Sequence, residues 1–261
     1  MHAMLEKLLP LLVSASENEL LPRFRKIGHH FKADGSLVTE ADLAMQDRVQ
    51  RELKTRWPEY GFLAEEMTPE QQQKQLTENS DGLWCLDPLD GTSNYAMGIP
   101  YFAPSLAFIQ NGRVMLGIVY DPVRKECFSA INGQGAWLNG EPLSLVDEDI
   151  QEPAVAIIDF KRLPAELAAS LVTDPPYKSQ RSFGSVALDW CWMAAARSHV
   201  YLHGRQNIWD YAAGQLVFQE AGGISSTLQG EPVFSPKLQP RSAVGALNKK
   251  LFDDWYTRLQ T

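Results

Sequence analysis

Two carboxylates three residues apart, Asp87 and Asp90, close a short apolar run in Trp84-Cys85-Leu86-Asp87-Pro88-Leu89-Asp90-Gly91-Thr92-Ser93-Asn94. The run reads as a strand, so the acids stand where it ends. Pro88 fixes φ and donates nothing to a sheet ladder, while Gly91 permits a tight bend; together they hold the acids on a rigid turn. Carboxylates so held make a cradle for a hard cation such as Mg²⁺, bound at about 2.0–2.1 Å, and the carbonyl of Leu89 between them offers a neutral oxygen. Gly91 and Thr92, if they open a helix, turn backbone N–H groups and a positive dipole end toward an anion such as phosphate. The competing reading is an Asp-rich turn stitched by its own side-chain hydrogen bonds.

Further acids stand where elements start or end. Tyr60 to Ala64 reads as a strand delivering Glu65 and Glu66 about 20 residues before Asp87. Paired glutamates usually form a solvated face, but at a strand end one of them is a candidate third carboxylate. Thr39-Glu40-Ala41-Asp42 has the pattern of a capping box and precedes Leu43, Met45, Val49 and Leu53 at helical steps, with a stop at Trp57-Pro58. Asp42 is therefore at least a cap. Trp209 to Ala221 reads as a helix stopped by Gly222-Gly223, with Asp210 at its start. Capping and the helix dipole alone favour an acid there. Joined to Glu65, Asp87 and Asp90 it becomes a fourth carboxylate, 120 residues beyond Asp90.

The elements that must position these acids follow from periodicity. Residues 2 to about 27 carry Met4, Leu8, Leu11 and Leu12 at helical spacing, bent or interrupted near Pro10 and Pro22. Ile27 to Val38 reads as a loop, with His29 and His30 solvated rather than ligating. The Gln-rich stretch from Thr68 to Asp81 reads as a surface loop or short helix. Ser105 to Gln110 and Arg113 to Asp121 flank Asn111-Gly112, a strong hairpin signal, and Cys127 to Ile131 adds a strand; later turns at Asn132-Gly133 and Asn139-Gly140 make the middle of the chain an antiparallel meander. Ala154 to Ile158 reads as a strand, Ala165 to Val172 and Ser185 to Ala196 as helices, and Val200 to Leu202 as a short strand. The chain thus divides into an N-terminal α+β half, 1–150, and a C-terminal α/β half, 151–261, with a boundary near the acidic Asp147-Glu148-Asp149 and the halves packed tightly.

With 261 residues, 44% hydrophobic and 21% charged, the chain can bury a full core. Its formal charge of −8, from 24 Lys+Arg against 32 Asp+Glu, argues against a general nucleic-acid surface. An anionic substrate would then need metal. Cys85, Cys127 and Cys191 are odd in number and far apart, which reads as buried free thiols in a reducing compartment. No apolar run approaches the ~20 residues of a membrane span, and Leu8 to Val13 lacks a basic leader, so the expected location is cytoplasmic.

Leu86-Asp87-Pro88-Leu89-Asp90-Gly91-Thr92, Glu65-Glu66 upstream and Trp209-Asp210-Tyr211-Ala212-Ala213-Gly214 downstream together resemble the inositol monophosphatase family of Mg²⁺-dependent, lithium-sensitive phosphatases. The resemblance covers nearly the whole chain. It implies an α+β fold, a layered αβαβα sandwich of the inositol monophosphatase and fructose-1,6-bisphosphatase type, which the helix pair, the meander and the second half also suggest. It implies two or three Mg²⁺ ions: Glu65, Asp87 and the Leu89 carbonyl on one, and Asp87, Asp90 and Asp210 on a second roughly 3.5–4 Å away. It further implies that Asp42 orients Thr92 toward the attacking water, that Gly91 and Thr92 grip the phosphate, and that the enzyme is a homodimer.

The same resemblance implies that the alcohol part of the substrate meets the segment Arg181 to Ala187, with Gly184, Ser185 and Val186, and a side chain seven residues before Asp210. The family carries an acid at that last position and this chain carries His203. Met97 likewise stands where relatives commonly have a polar or basic residue. The implied substrate is inositol 1-phosphate or a related polyol or sugar phosphate. Because His203 and Arg205 suit a second anionic group, 3′-phosphoadenosine 5′-phosphate, fructose 1,6-bisphosphate and histidinol phosphate are alternatives, and a low-turnover regulatory binding protein is another.

Overall fold

The computed structural model describes residues 1–25, 29–31, 37–145, 150 and 152–260, and the side chains of 29–31 and 37 are outside that description. Helix α1 (His2–Ala15) buries Leu5, Leu8, Leu12 and Ala15 and runs through Pro10, contrary to the expected interruption there. One buried face outweighs the single hydrogen bond that Pro10 removes. The helix instead loosens into a π-helical turn, Ser16–Leu20, ahead of Pro22. In place of the expected loop, β1 (His29–Phe31) and β2 (Leu37–Thr39) form a small antiparallel ribbon. The side chains of His29 and His30, expected to be solvated, lie outside the described residues.

Helix α2 (Glu40–Arg56) leads to β3 (Gly61–Ala64), and the Gln-rich stretch is a helix, α3 (Pro69–Glu78), capped by Thr68 and Gln71. Then come β4 (Leu83–Asp90), the short helix α4 (Thr92–Met97), β5 (Ala103–Gln110), β6 (Arg113–Asp121), β7 (Glu126–Ile131), β8 (Gly135–Leu138) and β9 (Glu141–Leu143). Strands β3 to β9 lie in chain order in one seven-stranded sheet, parallel between β3 and β4 and antiparallel elsewhere. Positive φ at both Asn111 and Gly112, and again at Asn139 and Gly140, gives the left-handed pairs that tight hairpins require.

The rest of the chain forms β10 (Val155–Asp159), a 3₁₀ turn (Phe160–Arg162), α5 (Ala165–Thr173), β11 (Ser179–Arg181), α6 (Val186–Ala194), β12 (Val200–Gln206), α7 (Ile208–Glu220), β13 (Ile224–Ser226), β14 (Arg241–Ala246) and α8 (Lys249–Arg258). Five strands make the second sheet in the order β11-β10-β12-β14-β13, with β11, β10 and β12 parallel. Strand β12 runs past the expected Leu202, and β11, β13, β14 and α8 had no counterpart in the sequence pattern. The acidic Asp147-Glu148-Asp149 lies outside the described residues.

Alternating side chains build the layers. Trp84 and Leu86 of β4 and Leu106 and Phe108 of β5 pack against Leu8, Leu12, Met45 and Val49 of α1 and α2. Leu83, Cys85 and Ala107 face the other way, onto Ala187, Trp190, Ala213 and Val217 of α6 and α7. Those helices rest in turn on Ile157, Tyr201 and Ala243 of the second sheet. Its outer face, with Ile158, Leu202 and Val244, is covered by Leu171 of α5 and Trp255 of α8. The result is the expected α+β sandwich, αβαβα. All three cysteines are free; Cys85 and Cys191 are buried as expected, whereas Cys127 is only half-buried. No helix among the described residues is long and apolar enough to cross a membrane.

The first sheet and the middle layer approach closely at Gly117 of β6, where an added Cβ would stand 2.7 Å from the Ala213 carbonyl oxygen of α7. Gly117→Ala is expected to cost about 1–3 kcal/mol by overpacking. A lower denaturant midpoint at unchanged m-value is the outcome that checks it.

Candidate active site

The pairing of β4 with β5 shifts between Asp87 and Asp90, so Pro88 and Leu89 bulge out of the ladder where Pro88 has no N–H to give. Asp87 shares the parity of Leu83 and Cys85 and points to the middle layer. Its cross-strand partner Ser105 donates its hydroxyl to the Trp209 carbonyl at 3.2 Å, which fixes the start of α7, and with it Asp210, beside β4. Glu65 follows directly on β3, and its N–H donates to the Leu86 carbonyl at 3.2 Å. Asp90 Oδ2 accepts from Ser185 Oγ and from the Ala187 N–H, both at 2.6 Å, and this brings the 184–187 segment to the acids. Val186 is half-buried at the start of α6.

Thr92 Oγ lies 3.2 Å from Asp42 Oδ1 and 3.0 Å from the Leu89 carbonyl, so its one proton is shared between two acceptors. Asp42 is completely buried, and its Oδ2 accepts from the Thr39 N–H at 2.8 Å and the Thr39 hydroxyl at 2.6 Å. The cap of α2 and the contact with Thr92 therefore use one oxygen of Asp42 each. Gly91 has φ +90°, and a Cβ there would stand 2.9 Å from the Tyr101 carbonyl oxygen, so only glycine fits. Asn94 was not singled out in the sequence. It donates to the carbonyls of Tyr101 at 2.8 Å and Phe183 at 2.7 Å, tying α4 to the segment that ends at Gly184.

Burial dominates this group, and charge on charge adds to it. Burial first, then Glu65, Asp90 and Asp210, push the Asp87 carboxyl well above the ordinary carboxylate range. Burial followed by Asp90 and Glu65 does the same to Asp210. Burial lifts Asp90 to about 7 against its bonds from Ser185 and Ala187, and lifts Asp42 to about 6. Asp87 and Asp210 each spend one oxygen on a backbone N–H, from Leu89 at 2.9 Å and Asn207 at 2.8 Å. No hydrogen bond from the described residues reaches the other oxygen of either. Among the described residues no three His, Cys, Asp or Glu side chains already close into a metal cage. The donor set nevertheless fits a hard divalent cation: oxygen only, acid-rich, and repulsive until positive charge enters.

His203 is placed differently from the expectation that it presents a donor to substrate. It is 4% exposed, its Nδ1 accepts the Arg205 N–H at 3.2 Å, and its Nε2 lies 3.2 Å from Asp159 Oδ2. Both ring nitrogens are engaged, and burial pulls the imidazole pKa down, so the ring is neutral with its proton on Nε2. Asp159 was missed in the sequence, although it closes the apolar run Val155 to Ile158 just as Asp87 closes its own. A surface hollow of about 470 Å³ beside Tyr177, Trp255 and Arg258 holds none of these groups.

A model of the inositol monophosphatase family matches residues 11–260. The chain belongs to that family. Nus factor SuhB of Pasteurella multocida is 32% identical over 206 residues, covering 76% of this chain and 74% of its own. Inositol monophosphatase 1 of Solanum lycopersicum is 34% identical over 202 residues, covering 74% and 72%. Among solved structures, an IMPase/NADP phosphatase complexed with Mg²⁺ and phosphate superposes with a TM-score of 0.84 at 25% identity, over 98% of this chain and 95% of that one. As a member of the inositol monophosphatase family the chain is a phosphatase, a phosphoric monoester hydrolase.

Raised carboxyl groups tie stability to protons. A carboxyl whose pKa is higher folded than unfolded stabilises fully below about pH 4 and loses that contribution as pH climbs through its folded value, here about 6 for Asp42 and about 7 for Asp90. The chelator-treated protein is expected to lose several degrees of Tm between pH 5 and 8, since about 1 kcal/mol moves a chain of this size by roughly 2–4 °C. Asp210→Asn, which keeps an oxygen for the Asn207 N–H, is expected to soften that loss, and adding Mg²⁺ at pH 8 to reverse it. Thermal melts across this range test the sign.

Proposed function

We propose that this family member is a Mg²⁺-dependent phosphatase acting on a small polyol or sugar phosphate, inositol 1-phosphate foremost. The observation that carries the reading is the gathering of Glu65 after β3, Asp87 and Asp90 on β4 and Asp210 on α7 into one electrostatic field, with the Asp42-bound hydroxyl of Thr92 at its edge. Glu65, Asp87 and the Leu89 carbonyl would hold one Mg²⁺, and Asp87, Asp90 and Asp210 another, with two or three ions in all. Bound there, the ions supply charge neutralisation and a more acidic water to a phosphoryl transfer that needs both.

The chain's own groups do the positioning. Thr92 Oγ gives its proton toward Asp42 and Leu89, which leaves its lone pairs to accept from an attacking water and aim it. The N–H groups of Gly91 and Thr92, at the opening of α4, bind phosphate oxygens. Asp90, clamped by Ser185 and Ala187, keeps the second half of the chain in place against the first. The enzyme works as a homodimer in the cytoplasm under the same proposal.

Phosphate release from a panel of inositol 1-phosphate, fructose 1,6-bisphosphate, 3′-phosphoadenosine 5′-phosphate and histidinol phosphate, with and without Mg²⁺, tests this reading. Release from none of them would favour the low-turnover binding protein. Asp210→Asn and Asp90→Asn are each expected to lower kcat by roughly 100-fold or more at saturating Mg²⁺, with far-UV circular dichroism unchanged. Lithium at millimolar concentration is expected to inhibit the wild type; near-normal turnover in either variant would dismiss the assigned ligands.

A further inference from the structure

In the parallel part of the second sheet the order is β11-β10-β12, with β10 first in the chain. The crossover through α5 runs from β10 to β11 on one side of it, and the crossover through α6 returns past β10 to β12 on the other. Sheets wound this way open a crevice outside the carboxyl ends of the strands at the switch point, here β10 and β12. Those two ends carry Asp159 and His203, paired in register. They share the parity of Ile157 and Tyr201, which face the middle layer, so both look toward the first turns of α6 and α7, where Ser185 holds Asp90 and where Asp210 stands.

The crevice wall is built rather than loose. His203 Nε2 lies 3.2 Å from Asp159 Oδ2, and Arg162 Nε lies 3.3 Å from the same oxygen. The 3₁₀ turn carrying Arg162 is seated on Gly204, where a Cβ would come within 1.9 Å of the Arg162 carbonyl oxygen. Asp159 Oδ1 and the Nη groups of Arg162 meet no hydrogen-bonding partner among the described residues.

An acceptor and a donor set side by side choose among ligand groups. A second phosphate brings only acceptors and would face the Asp159 carboxylate. An ammonium brings only donors and would face Arg162 and the neighbouring Lys161. A hydroxyl can donate to Oδ1 and accept from Nη at once. We propose that Asp159 and Arg162 form the subsite that recognises hydroxyls of the substrate's alcohol portion, with His203 a positioning residue behind Asp159; this rests on the phosphatase reading above. The acid that this chain lacks on β12 is thereby supplied one strand away, and a second anionic group is disfavoured.

The test compares inositol 1-phosphate with p-nitrophenyl phosphate, an ester whose alcohol carries no hydroxyl besides the esterified one, by Mg²⁺-dependent hydrolysis, and measures inositol 1-phosphate binding by calorimetry. Asp159→Ala is expected to lower kcat/KM for inositol 1-phosphate roughly 10–100-fold, the factor for one lost and unpaired contact, mainly through KM, while p-nitrophenyl phosphate hydrolysis stays within about two-fold. His203→Gln, which keeps a donor, should retain most of the preference, and His203→Phe should lose it. An unchanged ratio in Asp159→Ala, equal losses on both esters, or a wild type that favours p-nitrophenyl phosphate would overturn the subsite and leave the phosphatase standing. Asp159-dependent binding of inositol 1-phosphate without hydrolysis of either ester would keep the subsite and overturn the phosphatase. Neither binding nor hydrolysis would overturn both.

Discussion

Buried negative charge is the constraint around which this molecule is arranged. Asp87, Asp90 and Asp210 stand where water reaches poorly, and burial first, then repulsion from neighbouring acids, raises each of them. Nothing in packing favours such a group; apolar residues of similar size at these positions would fold more comfortably. The surrounding elements accordingly spend backbone donors on it. Leu89, Asn207 and Ala187 each give an N–H, and Ser185 adds a hydroxyl. The three N–H donors start a helix or sit in a strand bulge, places where N–H groups have no regular partner.

Economy of the same kind governs Asp42. One of its oxygens completes the cap of α2 and the other receives the Thr92 hydroxyl, 50 positions along the chain. A helix terminus that must be capped anyway is thus also the brace of a working side chain. Its position is set by the core contacts of Met45 and Val49 one and two turns further on. Rigidity at Thr92 is inherited from the packing of α2 on the first sheet.

Most of the layering was legible because its signals are local. Asn111-Gly112 demands left-handed backbone, Thr39 and Asp42 sit at the spacing of a reciprocal cap, and Gly222-Gly223 cannot continue a helix. The four acids stood out because each closes or opens an element. Less visible were features that depend on partners distant in the chain. The bond from Asn94 to Phe183, 89 positions away, leaves no local trace, and the short strands β11 and β13 are made by their neighbours rather than by their own residues. Position 203 was legible in identity and opaque in role. A histidine there suggests a donor offered to ligand, and only the in-register pairing with β10 shows that its ring is already turned to Asp159.

The two short bonds to Asp90 have a mechanical consequence. Ser185 and Ala187 open α6, which lies between the sheets, while Asp90 ends a strand of the first sheet. Sliding one sheet over the other would stretch both bonds at once, against a single carboxylate. The joint that keeps the layers in register is therefore also a wall of the site, and a disturbance anywhere along the α6 contact would be transmitted first to Asp90.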